Sequence, residues 1–240
     1  MILHDGLLLL GGVVVLYLYD SALLLYHNEL VLVGRRGGWR VSGGSAFELS
    51  GRHVFLPQPF CPHQSLFRLN WPEQGMVEGN AKPVRSHRVF VALELIAPWT
   101  LLLLVLFVVG LPYALFASHD TACLLAWIVA VYVVIIAMLL HVYRYRKALN
   151  LSGRAVAAIA LDALLCAPFA LNVVRKISLR QRFDADLRAV AATMLPPPAL
   201  HDLTAILRDR IKVSLGFVEP GTAESQALDA YLNYFEGLRK

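Results

Sequence analysis

The chain has 240 residues, of which 58% are apolar and only 16% are charged, and its net charge is +5. Soluble domains carry about 25% charged residues, and the apolar excess here is concentrated in long runs, as in membrane helices. The positive charge shows no basic face interleaved with aromatics, which argues against a nucleic-acid partner and favours anionic lipid headgroups. The excess of Arg over Lys, with abundant Ala and Leu, indicates a bacterial gene.

The first apolar run predicts transmembrane helix 1 over residues 1–19. At about 1.5 Å per residue, such a helix is just long enough to cross a bilayer. Gly11 and Gly12 leave a flat notch where another helix could approach closely. A flexible spot without a partner is the alternative. Tyr17 and Tyr19 suit the aromatic belt at a membrane surface.

Residues 20–72 predict a small β-rich module, because short apolar segments alternate with Gly-rich turns. Two such segments flank His27 and Asn28, which indicates a hairpin. Further short strands are expected at residues 39–41, 46–49 and 53–56. In the alternative, helix 1 continues through Leu25, but a charged Asp20 inside a span would cost about 3 kcal/mol.

A polar linker is expected over residues 73–95, followed by transmembrane helix 2 over residues 96–117. Pro98 then lies in the first turn, where a missing N–H does no harm, and Pro112 kinks the far end. Transmembrane helix 3, residues 122–143, contains no Asp, Glu, Lys or Arg. It is the clearest span in the sequence.

A fourth apolar segment, residues 155–174, is long enough to span, but Asp162, Pro168 and Asn172 weaken its tendency to insert. Cations flank it on both sides, so spanning would place one cluster outside, against the positive-inside rule. A re-entrant or interfacial segment is therefore favoured over a spanning one. The remainder, residues 175–240, predicts a cytoplasmic helical tail.

The distribution of cations predicts the orientation. The loop between helices 1 and 2 contains eight Lys or Arg residues, from Arg35 to Arg88, whereas the N-terminus and the turn after helix 2 contain none. The positive-inside rule then places the N-terminus outside and the β-rich module in the cytoplasm. The predicted fold is an α-helical, multi-pass protein of the bacterial inner membrane. It has three transmembrane helices, the fourth segment, the small β-rich module and the tail.

The sequence lacks the common nucleotide-binding and metalloprotease motifs. Its nearest approach to a metal cluster is Cys61 and His63, with His53 nearby in the sequence. Cys and His are zinc and copper ligands, but a lone Cys-x-His pair supplies too few. A proline-rich turn with an ordinary buried cysteine is the preferred interpretation, and no cofactor is expected.

Two acids are candidate functional residues. Asp162 lies within the fourth segment and Glu94 lies at the membrane edge before helix 2. An acid at bilayer depth is costly and is by default functional, with a partner. It would serve as a proton or cation site, or pair with a basic residue of another chain. In the alternative, Asp162 lies at the interface and faces water.

The tail carries an apolar stripe at helical spacing, formed by Leu228, Tyr231, Leu232 and Phe235. A helix of about seventeen residues is marginal in water by itself. It must therefore dock on the helix at residues 200–211, on the β-rich module or on a partner subunit. We expect the stripe to bind a partner.

Three functions remain open. The first is an accessory or scaffold subunit of a larger membrane complex, without catalytic activity and with other membrane subunits as partners. The second is a transporter or channel component that uses an intramembrane acid, although no inverted repeat is present. The third is a membrane enzyme acting on a lipid-linked substrate, which would need clustered His, Asp or Glu at the interface.

Overall fold

Two units make up the chain in the computed structural model, which describes residues 2–35, 38–71, 87–118, 120–181 and 187–238. Unit 1 contains Met1–Ala22, Leu56–Ser65 and Ser86–Gln181, and unit 2 contains Leu23–Phe55, Leu66–Arg85 and Arg182–Lys240. Unit 1 is mainly helical, and unit 2 combines antiparallel sheets with helices. Each unit is thus assembled from segments that are distant in the sequence.

Helix α1, Ile2–Ser21, opens unit 1. Its Leu and Val residues are interrupted by glycines but not by proline, so a helix forms here as predicted and extends two residues beyond residue 19. At its end, the Ser21 hydroxyl donates to the Leu18 carbonyl at 2.9 Å. The chain then enters a strand at Leu23. The alternative of a helix through Leu25 is therefore wrong.

Helix α2, His87–Val105, begins inside the predicted linker. The rest of that linker, residues 73–86, lies outside the described residues. Pro98 is consequently in the helix interior and not in its first turn. The prediction was wrong because residues 89–95 are almost all apolar and helix-compatible, and they extend the helix toward its N-terminus.

Two π-helical segments, Leu106–Gly110 and Tyr113–Ala117, continue α2 on either side of Pro112. Proline lacks an N–H, and π-helical bulges are a usual response to such an interruption. The indole N–H of Trp127 donates to the Leu106 carbonyl at 2.7 Å. This bond satisfies a carbonyl in the distorted region.

Helix α3, Thr121–Arg144, is capped by Asp120, whose carboxylate accepts from the Ala122 N–H at 2.9 Å. Residues Val89–Ala117 and Thr121–Arg144 are the two described stretches long and apolar enough to cross a membrane. Only 28% of each stretch is buried, unlike the core helix of a soluble protein. These helices indicate membrane association.

The fourth segment is broken. Helix α4, Gly153–Leu165, ends at Cys166, whose backbone is extended. A 3₁₀ segment, Ala167–Asn172, follows and leads directly into α5, Val173–Arg180. Pro168 is the second residue of the 3₁₀ segment and cannot donate the hydrogen bond that would continue α4. At about 1.5 Å per residue, α4 alone reaches about 20 Å, short of a bilayer core of about 30 Å.

Unit 2 contains two three-stranded antiparallel sheets, with strand orders β1-β5-β4 and β3-β2-β6. This confirms the predicted β-rich module. The strands are β1 Leu23–Leu25, β2 Glu29–Arg35, β3 Gly38–Ser42, β4 Glu48–Leu49, β5 Arg52–Phe55 and β6 Leu66–Asn70. Strand β6 was not predicted, although its apolar residues Leu66, Phe67 and Leu69 are buried.

The predicted hairpin around His27 and Asn28 is wrong, because β1 pairs with β5 whereas β2 pairs with β3 and β6. A two-residue hairpin turn needs positive φ, and neither residue has it. The Glu29 carboxylate instead accepts from the Tyr26 N–H at 3.0 Å. The connection is a corner between two sheets.

Three helices complete unit 2: α6 Leu187–Met194, α7 Pro197–Leu215 and α8 Ala223–Leu238. Helix α7 packs against β3 and α8. Leu228, Tyr231 and Phe235 are buried on α8, and Leu232 is half-buried. The apolar stripe therefore docks within its own unit, as one of the alternatives held. Binding of the stripe to a partner subunit stays a prediction.

Candidate functional site

The most polar part of the interior of unit 1 surrounds Arg175, in the first turn of α5. Its guanidinium is only 2% exposed. Nη2 donates to the carbonyls of Gln58 and Cys61 at 2.7 and 2.9 Å. Nη1 donates to the Tyr17 hydroxyl at 3.2 Å and to Asn172 Oδ1 at 3.0 Å. We call these residues the Arg175 cluster.

The loop at residues 56–65 supplies the two carbonyls because its backbone is folded into tight turns. The Cys61 N–H donates to Gln58 O at 3.1 Å, and the Gln64 N–H donates to Cys61 O at 3.2 Å. Prolines within this loop remove donors and prevent strand pairing. Each carbonyl keeps a second lone pair, which Arg175 uses.

Tyr17 lies in the interior of unit 1. The sequence had instead suggested that it belongs to an aromatic belt at a membrane surface. It is 7% exposed, and its hydroxyl donates to the Pro59 carbonyl at 2.5 Å while accepting from Arg175. The ring contributes apolar area and the hydroxyl satisfies a buried carbonyl, as is usual for a buried tyrosine. Tyr17 thereby joins α1 to the loop at residues 56–65.

Ion pairs extend the cluster toward the surface. Lys176 Nζ lies 2.8 Å from Asp20 Oδ1 and 3.4 Å from Asp162 Oδ2. Asn172 Nδ2 donates to Asp20 Oδ2 at 3.0 Å, which connects these pairs to Arg175. The Asp20 side chain is 11% exposed, whereas that of Asp162 is 49% exposed. Asp162 thus has its basic partner within the same chain.

The charges of this group balance, with two cations, Arg175 and Lys176, and two carboxylates, Asp20 and Asp162. Burial lowers the pKa of Arg175, and the adjacent Tyr17 hydroxyl favours the charged form. Within the described part of the chain, Arg175 Nε has no hydrogen-bond partner. A buried charge is tolerated only when paired or hydrogen-bonded. The arrangement therefore holds α1, the loop and α5 together.

The other predicted site residues do not converge. Glu94 is exposed on α2. Cys61 is a half-buried free thiol that contributes its carbonyl to the cluster. His63 is half-buried in unit 1, whereas His53 belongs to unit 2 and lies 3.6 Å from Glu48. Among the described residues, no three His, Cys, Asp or Glu side chains are grouped as a metal site requires.

Unit 2 has a buried arginine of its own, Arg210 on α7. Its Nη1 donates to the carbonyls of His27 and Glu29 at 2.8 and 2.7 Å, and its Nη2 donates to Gly43 O. A side chain at position 43 would not fit, since an ideal Cβ there would lie 2.9 Å from Arg210 Nη2. Burial lowers the pKa of Arg210, while the charge of Glu48 opposes the shift. We call this the Arg210 clamp.

Sequence reasoning missed Tyr17, Asp20, Arg175 and Lys176 as one group. A usable signal was the spacing of polar residues at two helix ends. Tyr17 and Asp20 are three apart, so they share a face of α1. Asn172 precedes Arg175 and Lys176 by three and four residues, so these three also share a face.

Comparison with protein-family models, curated proteins and solved structures finds no match for this chain. We therefore infer its function from its own residues.

Proposed function

We propose that this chain is an accessory or scaffold subunit of a larger inner-membrane complex, without catalytic activity of its own. Helices α1, α2 and α3 would span the membrane, and the broken α4–α5 segment would be re-entrant or interfacial. The observation that carries the proposal is an uncovered apolar face on α1.

This face contains Leu8, Gly11, Gly12 and Val15, which recur at helical spacing. Leu8 and Val15 are 62% and 64% exposed. Among the described residues, no atom lies within 4 Å of an ideal Cβ built on either glycine. Helices associate in lipid through small residues that permit close backbone approach. The notch suits a transmembrane helix of another subunit, which is the partner proposed here.

The Arg175 cluster supports a structural use of the intramembrane polar groups. Its guanidinium donates four bonds to the chain's own carbonyls and side chains, and Lys176 pairs with two carboxylates. A substrate site would instead need polar groups that remain available to the substrate. The cluster stiffens unit 1, as expected of a subunit that presents a fixed surface.

The cation at the end of α3 supports an orientation with the N-terminus outside. An ideal Cβ on Gly6 would lie 2.9 Å from Phe116, so α1 begins beside the end of the second π-helical segment. Asp5 and Asp120 are exposed at this end of unit 1. Arg144 lies at the opposite end of α3. The positive-inside rule assigns the Arg144 end to the cytoplasm.

The test is purification of the full chain from its native membrane in a mild detergent. We expect a partner at a fixed ratio that survives a second detergent. Gly12→Leu should abolish this association, since the larger side chain closes the notch. Val14→Leu is the matched control, because Val14 is also exposed and apolar but lies on another face of α1.

Two outcomes would overturn the proposal. In one, the wild-type chain purifies alone under conditions that preserve other complexes of the same membrane. In the other, Gly12→Leu and Val14→Leu retain the partner equally well. Carbonate extraction of both variants verifies that each one is still inserted.

A transporter or channel component is the second candidate, because Lys176 bridges a buried and an exposed carboxylate. Such a chain of titratable groups at membrane depth is typical of proton and cation pathways. Purified chain in vesicles with a pH-sensitive dye inside tests this function. Proton flux that is lost in Asp162→Asn would favour transport, whereas equal, background flux in both proteins would exclude proton transport.

A further inference from the structure

We propose that five cations at one end of unit 1 form a docking surface for anionic phospholipid headgroups. They are Arg144, Arg146, Lys147, Arg154 and Arg180, which we call the basic rim. The inference rests on the membrane placement proposed above and assigns a lipid class to specific residues.

Two hydrogen bonds bring the parts of the rim together. The Gln181 side-chain amide donates to the Leu149 carbonyl at 2.6 Å, which ties the end of α5 to the link between α3 and α4. Arg180 Nη1 donates to the Ala155 carbonyl at 3.2 Å, in the first turn of α4. The end of α3, the start of α4 and the end of α5 therefore meet at one end of unit 1.

The rim carries uncompensated positive charge. Within the described part of the chain, none of its five cations forms an ion pair with a carboxylate. Asp162, the one acid between Thr121 and Gln181, pairs with Lys176 instead. Clustered cations without internal partners favour an external anion, and phosphate esters are strong acceptors for arginine.

The order of side chains along α3 indicates a lipid surface rather than a soluble polyanion. Leu140 is exposed and apolar, and Tyr143 is exposed one turn later. The Arg146 guanidinium then lies 4.3 Å from the centre of the Tyr143 ring. Hydrocarbon, aromatic belt and cations follow one another in this order at a membrane interface. A nucleic acid would leave the adjoining apolar surface in water.

The test is lipid titration of the detergent-purified full chain, read by native mass spectrometry. Phosphatidylglycerol and phosphatidylcholine with identical acyl chains are compared. Each cation near an anionic surface contributes roughly fivefold in affinity. We therefore expect Lys147→Gln with Arg154→Gln to lower the preference for phosphatidylglycerol by roughly tenfold or more.

The matched control is Arg40→Gln with Lys212→Gln, two exposed cations of unit 2 whose removal changes net charge equally. It should keep the wild-type preference. So should Lys147→Arg with Arg154→Lys, which retains charge on the rim. An equal loss in the control would assign the preference to net charge, and an unchanged rim variant would remove the rim from lipid binding; either result overturns the proposal.

Displacement of the lipid by millimolar inorganic phosphate, or equally strong competition by duplex DNA at matched phosphate concentration, would also overturn it. The assay uses the isolated chain and needs no partner subunit. Lipid preference without a copurifying partner would therefore contradict the accessory-subunit proposal alone. A fixed partner without lipid preference would contradict only the proposal that the basic rim binds lipid.

Discussion

Among the described residues, each of the two units buries one arginine that forms no ion pair with a carboxylate. Arg175 in unit 1 is 2% exposed and Arg210 in unit 2 is 7% exposed. Arg175 donates to two backbone carbonyls of the loop at residues 56–65, and Arg210 donates to three backbone carbonyls at turns and strand ends of unit 2. In both units a helix thereby holds irregular backbone in place, with one planar donor group satisfying several acceptors.

The two arrangements differ in what surrounds the guanidinium. The Arg210 clamp binds carbonyls alone, around a glycine that leaves room for the side chain. Arg175 also bonds Tyr17 and Asn172, and through Asn172 it reaches the ion pairs of Lys176. One arrangement is closed and local. The Arg175 cluster extends through Lys176 to Asp162, which is half exposed. A substitution of Asp162 at the surface of unit 1 therefore affects a network that reaches the interior.

The largest expected effect is that of Arg175→Met. It removes the four hydrogen bonds of the guanidinium, two to carbonyls and two to side chains, each worth about 1 kcal/mol. We expect a loss of about 4 kcal/mol in the free energy of unfolding. Hydrogen exchange at the Cys61 and Gln64 amides in detergent should accelerate strongly. Arg40→Met, an exposed arginine, is the control. Equal exchange in the two variants would contradict a role of Arg175 in holding the loop.

Arg210→Met should have the next largest effect, about 3 kcal/mol, since three hydrogen bonds to carbonyls are lost at about 1 kcal/mol each. Faster hydrogen exchange in β2 and β3 would report the loss. Arg210→Lys should rescue it only partly, because an ammonium group cannot reproduce the planar fork. Full rescue by lysine would show that charge, and not geometry, holds the clamp.

Local patterns in the sequence predicted the parts of the fold that depend on neighbouring residues. The apolar run at residues 122–143 matches α3, Thr121–Arg144, closely, because helical bonds join residues four apart. The segment at residues 155–174 is broken at Cys166, two residues before Pro168. The strands in the β-rich module were expected from another local pattern, short apolar segments that alternate with Gly-rich turns.

Long-range partners could not be predicted in this way. Arg175 meets Tyr17 across 158 positions, and Arg210 meets His27 across 183. A single sequence shows that a polar residue is present but not which distant residue it contacts. Tyr17 was therefore assigned to an aromatic belt, and Arg175 was treated as one cation among several. Strand pairing failed likewise, since β1 and β2 are consecutive in sequence but belong to different sheets.

Tyr17→Phe should sharpen the comparison with a smaller effect of about 2 kcal/mol, because two hydrogen bonds are lost at about 1 kcal/mol each. It removes the donor to Pro59 and one acceptor of Arg175 but keeps the ring in place. The midpoint of thermal unfolding in detergent should fall slightly. A fall as large as that of Arg175→Met would mean that the phenol, and not the guanidinium, holds the cluster.

Asp162→Asn should have the smallest effect, below about 1 kcal/mol, because its ion pair with Lys176 is half exposed and screened by solvent. Insertion should be unimpaired, since removing a charge lowers the cost of transfer into a membrane.

Asp20→Asn is the informative contrast, because the Asp20 side chain is largely buried and accepts from both Lys176 and Asn172. Its loss leaves Lys176 with the exposed carboxylate alone and should be clearly destabilising in the same thermal assay. If the two variants unfold at the same temperature, the interior carboxylate of Asp20 contributes no more to stability than the exposed carboxylate of Asp162. If Asp162→Asn is stable but the partner no longer copurifies, the exposed carboxylate belongs to the binding surface and not to the internal structure of unit 1.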